Sequence, residues 1–162
     1  MESSRRSKHG HGPTIVVGYD GSGPSRVALG VAARRAGRGG RVVVVHAYDL
    51  APELTAIPNS DRWLAERQAH GRSILDAILL VGNDELLDTE YETELIHGPS
   101  AQAIADVAQA RDADEIIVGA RGHGRVRSLL GSVSHELLHV ADRPVLVIPA
   151  AAVDRMQHPR GK

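Results

Sequence analysis

The sequence has no cysteine and no phenylalanine, and only one tryptophan and three tyrosines among its 162 residues. The missing thiols exclude disulfides, cysteine-ligated metals and thiol chemistry. Aromatics make up 2% and hydrophobic residues 42% of the chain, so the core must be built from Val, Leu, Ile and Ala. That composition suits a sheet covered by small-residue helices. No apolar run approaches the roughly 20 residues of a membrane span. The basic N-terminus is not followed by an apolar segment, so no secretory signal is read there, and the cytoplasm is the expected compartment. Also lacking is a net charge of one sign: the balance is −1, without the positive excess that bulk binding to nucleic acid requires. The ends are more basic than the body. Arg5, Arg6 and Lys8 stand against Glu2, and Arg155, Arg160 and Lys162 against Asp154, so residues 1–12 and 150–162 carry +2 each and the body −5. These ends are expected to be solvated, disordered tails around a single domain over 13–149. Neither nucleic acid nor a membrane is expected as a partner.

What is present is a strict alternation of elements. Thr14–Tyr19 and the Val42-Val43-Val44-Val45 run within Arg41–Tyr48 are apolar without alternation, as strands buried on both faces are. Between them Ser22 is a candidate N-cap, Pro24 suits a first helical turn, and Val27, Ala28, Val31 and Ala32 recur at helical spacing up to Gly37. A loop over Asp49–Ser60 precedes a longer helix with Leu64, Leu75, Ile78 and Leu79 on one stripe, stopped by Gly82-Asn83-Asp84. Thr89–Ile96 has period two, with Glu90, Glu92 and Glu94 facing one way, which marks an edge strand with a solvated face rather than a metal site. Gly98-Pro99-Ser100 opens a helix with Ile104, Val107 and Ala108 on its stripe. Ile116-Ile117-Val118 is another buried strand, followed by a glycine-rich loop, a helix through His139 and an apolar strand over Val145–Ile148. This βαβαβαβαβ order implies a parallel sheet with helices on both faces.

In open α/β sheets, ligands bind outside the carboxyl ends of the strands, where the strand order reverses. Asp20, His46-Ala47 and Gly119 all end strands, so they converge there. The loop Gly119–Ser134 has glycines that let backbone N–H groups approach phosphate oxygens. It also has Gly131-Ser132 at a helix start, the hydroxyls of Ser132 and Ser134, and Arg121, Arg125 and Arg127. It is not a Walker A loop, because no Gly-Lys-Ser/Thr follows the glycines. Asp20 either caps the turn into the first helix or serves a bound group, and His46 reads as a core histidine. His135-Glu136-Leu137-Leu138-His139 matches the zinc-protease pattern H-E-x-x-H. Helical geometry, however, turns Leu130, Val133, Leu137 and Ala141 to the sheet and both histidines to solvent, with no third ligand evident. No G-x-S-x-G surrounds Ser22, so no nucleophile elbow is read there.

Over roughly Pro13 to Pro149 the chain resembles the universal stress protein family. The matching segments are Ile15-Val16-Val17-Gly18-Tyr19-Asp20-Gly21-Ser22, Val45-His46-Ala47, Gly98-Pro99-Ser100, Gly119–Ser134 and Arg143-Pro144-Val145-Leu146-Val147-Ile148-Pro149. The nucleotide-binding branch carries Gly-x2-Gly-x9-Gly-Ser/Thr. Gly119, Gly122, Gly131 and Ser132 match it, with eight residues rather than nine between Gly122 and Gly131.

The resemblance implies a Rossmann-like, adenine nucleotide α-hydrolase-like fold. The expectation is one open parallel five-stranded sheet in the order 3-2-1-4-5 with four helices. It also implies an ATP site, with Asp20 at the nucleoside and Tyr19 and Ala47 along the adenine. Val118, Gly119, Arg121, Gly122, Gly131, Ser132, Val133 and Ser134 would surround ribose and phosphates. Any Mg2+ would be held largely by the phosphates. No catalytic residue and no metal ligand is assigned, and hydrolysis is expected to be slow or absent. The apolar edge of Val145–Ile148 and the resemblance together imply a twofold homodimer. Three functions stay open: an adenine-nucleotide-binding regulator (with cyclic AMP as an alternative ligand), a nucleotide-free interaction dimer, and a nucleotide hydrolase or transferase.

Overall fold

The computed structural model of the chain describes residues 12–49, 58–80, 86, 88–120 and 130–157. The elements run β1 (Thr14–Gly18), α1 (Gly23–Ala36), β2 (Arg41–Tyr48), α2 (Ser60–Leu80), β3 (Glu90–His97), α3 (Ser100–Ala110), β4 (Glu115–Gly119), α4 (Ser132–Val140), β5 (Val145–Ile148) and α5 (Ala151–Gln157). The strands form one sheet in the order β3-β2-β1-β4-β5, with every neighbouring pair parallel. The expected sheet and strand order are therefore those observed.

Burial follows the sequence pattern. Val42 to Val45 are at most 1% exposed, so β2 contributes to both faces of the core. On one face Ile15, Val17, Tyr19, Val42 and Val44 pack with residues of α1 and α2. On the other, Val16, Val43, Val45, Ile116 and Val118 pack with residues of α3 and α4. The α1 terminus is built as its residues dictate. Ser22 is its N-cap, accepting the Ser25 N–H through its hydroxyl at 3.4 Å, and Gly37 closes the helix at φ 61°. A positive φ there is the conformation that favours glycine.

β3 is an edge strand, as its alternation indicates. Its glutamates are ion-paired rather than merely solvated. Glu90 meets Arg41 at 2.9 Å, while Glu92 and Glu94 share Arg111, at the end of α3, at 2.7 and 2.6 Å. A correction applies at the C-terminus, where a disordered tail was expected from residue 150. Ala151–Gln157 forms a helix instead, the fifth among the described residues, and Ala152 and Val153 pack on the α1 side of the core. Val153 lies so close to Gly23 that a Cβ there would stand 3.2 Å from its methyls. The expected N-terminal tail lies outside the described residues, apart from Gly12. Among the described residues no helix is long and apolar enough to cross a membrane.

Candidate functional site

Strand order reverses between β1 and β4. The chain leaves β1 through α1 toward β2, and leaves β4 through α4 toward β5, with α1 and α4 on opposite faces of the sheet. A cavity of about 530 Å³ opens at the carboxyl ends of these strands. Three helices begin at its wall. Ser25 belongs to the first turn of α1, Ser100 is the first residue of α3, and Ser132 is the first of α4. Of these, α1 has a side-chain cap, whereas α3 and α4 have none. Uncapped first-turn N–H groups and the aligned helix dipoles favour an anion at such a place.

Glycine at position 119 has a steric cause. A Cβ there would lie 2.8 Å from the Pro24 Cβ and 3.0 Å from the Ser25 nitrogen, so the first turn of α1 seats directly against the end of β4. The next residue, Ala120, donates its N–H to Ile148 O at 2.7 Å and accepts the N–H of Gly131 through its own carbonyl. The Ser134 hydroxyl reaches the same Ala120 carbonyl at 3.2 Å and the Gly131 carbonyl at 3.1 Å. These bonds close the base of the glycine loop at Ala120–Gly131. The eight-residue spacing between Gly122 and Gly131 belongs to the segment between those two ends, which apart from Leu130 lies outside the described residues. Ser134 is 1% exposed, and its hydrogen goes to backbone carbonyls, which gives it a structural part in the site.

The other expected residues sort as follows. Asp20, Ala47, Val118, Gly119, Gly131, Ser132, Val133 and Ser134 all line the cavity. Tyr19 lines it too, but its ring belongs to the core on the α1–α2 face. Burial pushes its phenol pKa up, against the opposing hydrogen bond and charge of Arg26. Asp20 Oδ1 accepts the Ser22 N–H at 3.0 Å, so the capping reading holds in the structure. Arg121 and Gly122, together with Arg125 and Arg127, lie outside the described residues.

His46, read from the sequence as a core histidine, lines the cavity and is half-buried there. Its Nδ1 lies 2.7 Å from Tyr19 O, and Tyr19 N–H donates to Val45 O at 2.9 Å. A carbonyl oxygen only accepts, so Nδ1 carries the hydrogen. The ring rests against Gly71 of α2, where a Cβ would be 2.8 Å from its Cδ2. Gly18, Ser25, Val45, Ser100, Ile104 and Ala120 also line the cavity and were not assigned to it from sequence. Ser100 had a readable signal, since it opens a helix after Gly98-Pro99. Among the described residues no group of three or more His, Cys, Asp or Glu is placed to hold a metal ion.

Residues 13–149 match the model of the universal stress protein family. A universal stress protein of Thermus aquaticus is 35% identical over 138 residues, covering 83% of this chain and 97% of the relative. One of Mycobacterium tuberculosis is 36% identical over 142 residues, and there the chain spans 46% of the relative's length. Among solved structures, a universal stress protein in complex with cAMP is 26% identical, with a TM-score of 0.61, and covers 85% of this chain and 97% of that one. A universal stress protein of Archaeoglobus fulgidus in complex with dAMP is also 26% identical, with a TM-score of 0.53, and covers 84% and 97%.

Proposed function

The chain belongs to the universal stress protein family, and on that footing we propose that its crevice binds an adenine nucleotide, ATP first, as the ligand-sensing site of a stress-response regulator. The observation that carries this reading is the cavity where the uncapped starts of α3 and α4 meet the glycine end of β4. A volume of about 530 Å³ lies within the range of about 300–1,000 Å³ usual for small-molecule sites. Two relatives whose structures hold cAMP and dAMP support the adenine class. The phosphates would face the α4 start at Gly131–Val133, and the nucleoside would lie along Asp20 and Ala47.

The described lining offers one carboxylate, Asp20. Mg2+ keeps several waters and takes few protein ligands, so this donor set suits an ion held mainly by phosphate oxygens. Asp20 and His46 each spend a polar atom on the backbone, which accords with binding without fast turnover. Isothermal titration of the full chain with ATP, dAMP and cAMP, each with and without Mg2+, tests the reading. One equivalent of an adenine nucleotide with micromolar affinity is expected. No heat with any of them at high micromolar protein refutes it and leaves the nucleotide-free interaction dimer. We place the second copy of that dimer at β5, whose other edge has no strand partner among the described residues. Sedimentation velocity should then give a dimer that Leu146→Lys dissociates. The cytoplasm is retained as the compartment for such a regulator.

A further inference from the structure

The histidine pair of α4 is absorbed neither by the cavity nor by the sheet. His135 and His139 are both exposed, whereas Leu137 of the same helix is fully buried. Residues four apart stack on one face of a helix, and this face points away from the core. The two ring centroids are 4.9 Å apart. His139 Nδ1 lies 3.0 Å from the His135 carbonyl oxygen. Since a carbonyl only accepts, Nδ1 holds the hydrogen and the Nε2 lone pair faces outward, the arrangement in which a ligating histidine is oriented by its other nitrogen.

The spacing suits a shared ion. A metal bound about 2.0–2.1 Å from one nitrogen of each ring would lie about 3.2 Å from each centroid and see the two rings about 100° apart. That angle is compatible with tetrahedral or square-planar coordination. We propose that His135 and His139 form a two-imidazole site for a borderline divalent transition metal ion, Cu2+, Ni2+ or Zn2+, on the outer face of α4, with water completing the shell. Affinity should rank Cu2+ above Ni2+ and Zn2+. Two ligands without a carboxylate base or a third protein ligand make this a binding site and not the protease centre that H-E-x-x-H denotes. Because the rings are held together by the helix, the ion binds the folded form and stabilises it.

The test is titration calorimetry of the full chain with Ni2+ and Zn2+ at pH 7.5, without nucleotide, so that failure of the nucleotide reading does not affect it. One equivalent of ion is expected. That heat should be lost in His135→Ala and in His139→Ala, and kept in a His9→Ala/His11→Ala chain. The double variant Glu136→His/His139→Ala keeps two imidazoles but sets them on adjacent residues, which do not share a helix face, so it should also lose the heat. All substituted positions on α4 are solvent-facing, and far-ultraviolet circular dichroism verifies that each variant folds. Unchanged binding in His135→Ala/His139→Ala, its loss with His9 and His11, or full binding by the adjacent pair would each overturn the proposal.

Discussion

Replacing Gly71 by Ala sets two effects of known size against each other. In a helix interior, alanine is favoured over glycine by about 1 kcal/mol. Here the added Cβ would stand 2.7 Å from Leu95 Cδ1, 2.8 Å from His46 Cδ2 and 3.2 Å from His46 Nε2. The leucine methyl ends a flexible side chain and can move. The imidazole is held at 2.7 Å by the Tyr19 carbonyl, so displacing it also breaks a hydrogen bond. Overpacking of this kind costs about 1–3 kcal/mol. Gly71→Ala should therefore destabilise the protein by about 1 kcal/mol net. In a His46→Ala background the obstructing ring is gone, and the same substitution should stabilise by up to about 1 kcal/mol. Urea unfolding of the four proteins of this cycle measures both signs, provided the m-values agree. If Gly71→Ala stabilises the otherwise unaltered chain as much as the His46→Ala chain, the seating of α2 on His46 is wrong.

Gly119→Ala should force the first turn of α1 off β4. It should lower stability by about 1–3 kcal/mol and weaken ATP by about tenfold or more in calorimetry. Lost stability with unchanged affinity would confine Gly119 to packing. Ser134→Ala removes the hydroxyl that joins the Ala120 and Gly131 carbonyls and should cost about 1 kcal/mol in urea unfolding, whereas no change would mean that the loop base closes without it. Arg111→Ala leaves Glu92 and Glu94 facing each other's charge on one side of β3. It should cost about 1 kcal/mol at low salt, shrinking in 1 M NaCl as the repulsion is screened. A salt-independent loss would point to packing of the arginine stem instead.

The sheet was legible because its strands announce themselves. The valine run of β2 has no polar position and proves buried throughout, and the charged alternation of β3 marks an edge. Period two also carried a message that went unused. Tyr19 is two residues beyond Val17, so its ring had to join the face of Ile15 and Val17 while Gly18 kept to the other. Helix α5 was not legible, because seven residues with a basic end have no helical signal of their own. It is held by Val153 against Gly23, a contact between distant parts of the sequence. The backbone bonds at Ala120 and Gly131 that help close the loop base were equally silent, since they use groups that nearly every residue carries.

The position of β1 has a consequence for how the chain is made. One of its edges is covered by β2, the next strand in sequence. The other waits for β4, and the Thr14 N–H finds its carboxylate partner, Asp114, one hundred residues later. During synthesis the β1-β2-β3 half with α1 and α2 can assemble early, but it does so with the central strand's second edge bare, an invitation to wrong pairing in a nascent chain. The crevice comes into being when that edge is closed. A ligand that needs both walls, Asp20 and Ala47 from the early half and Gly119 and Gly131–Val133 from the late one, draws the final closure forward by mass action, so its presence in a refolding mixture should raise the yield of the last step most.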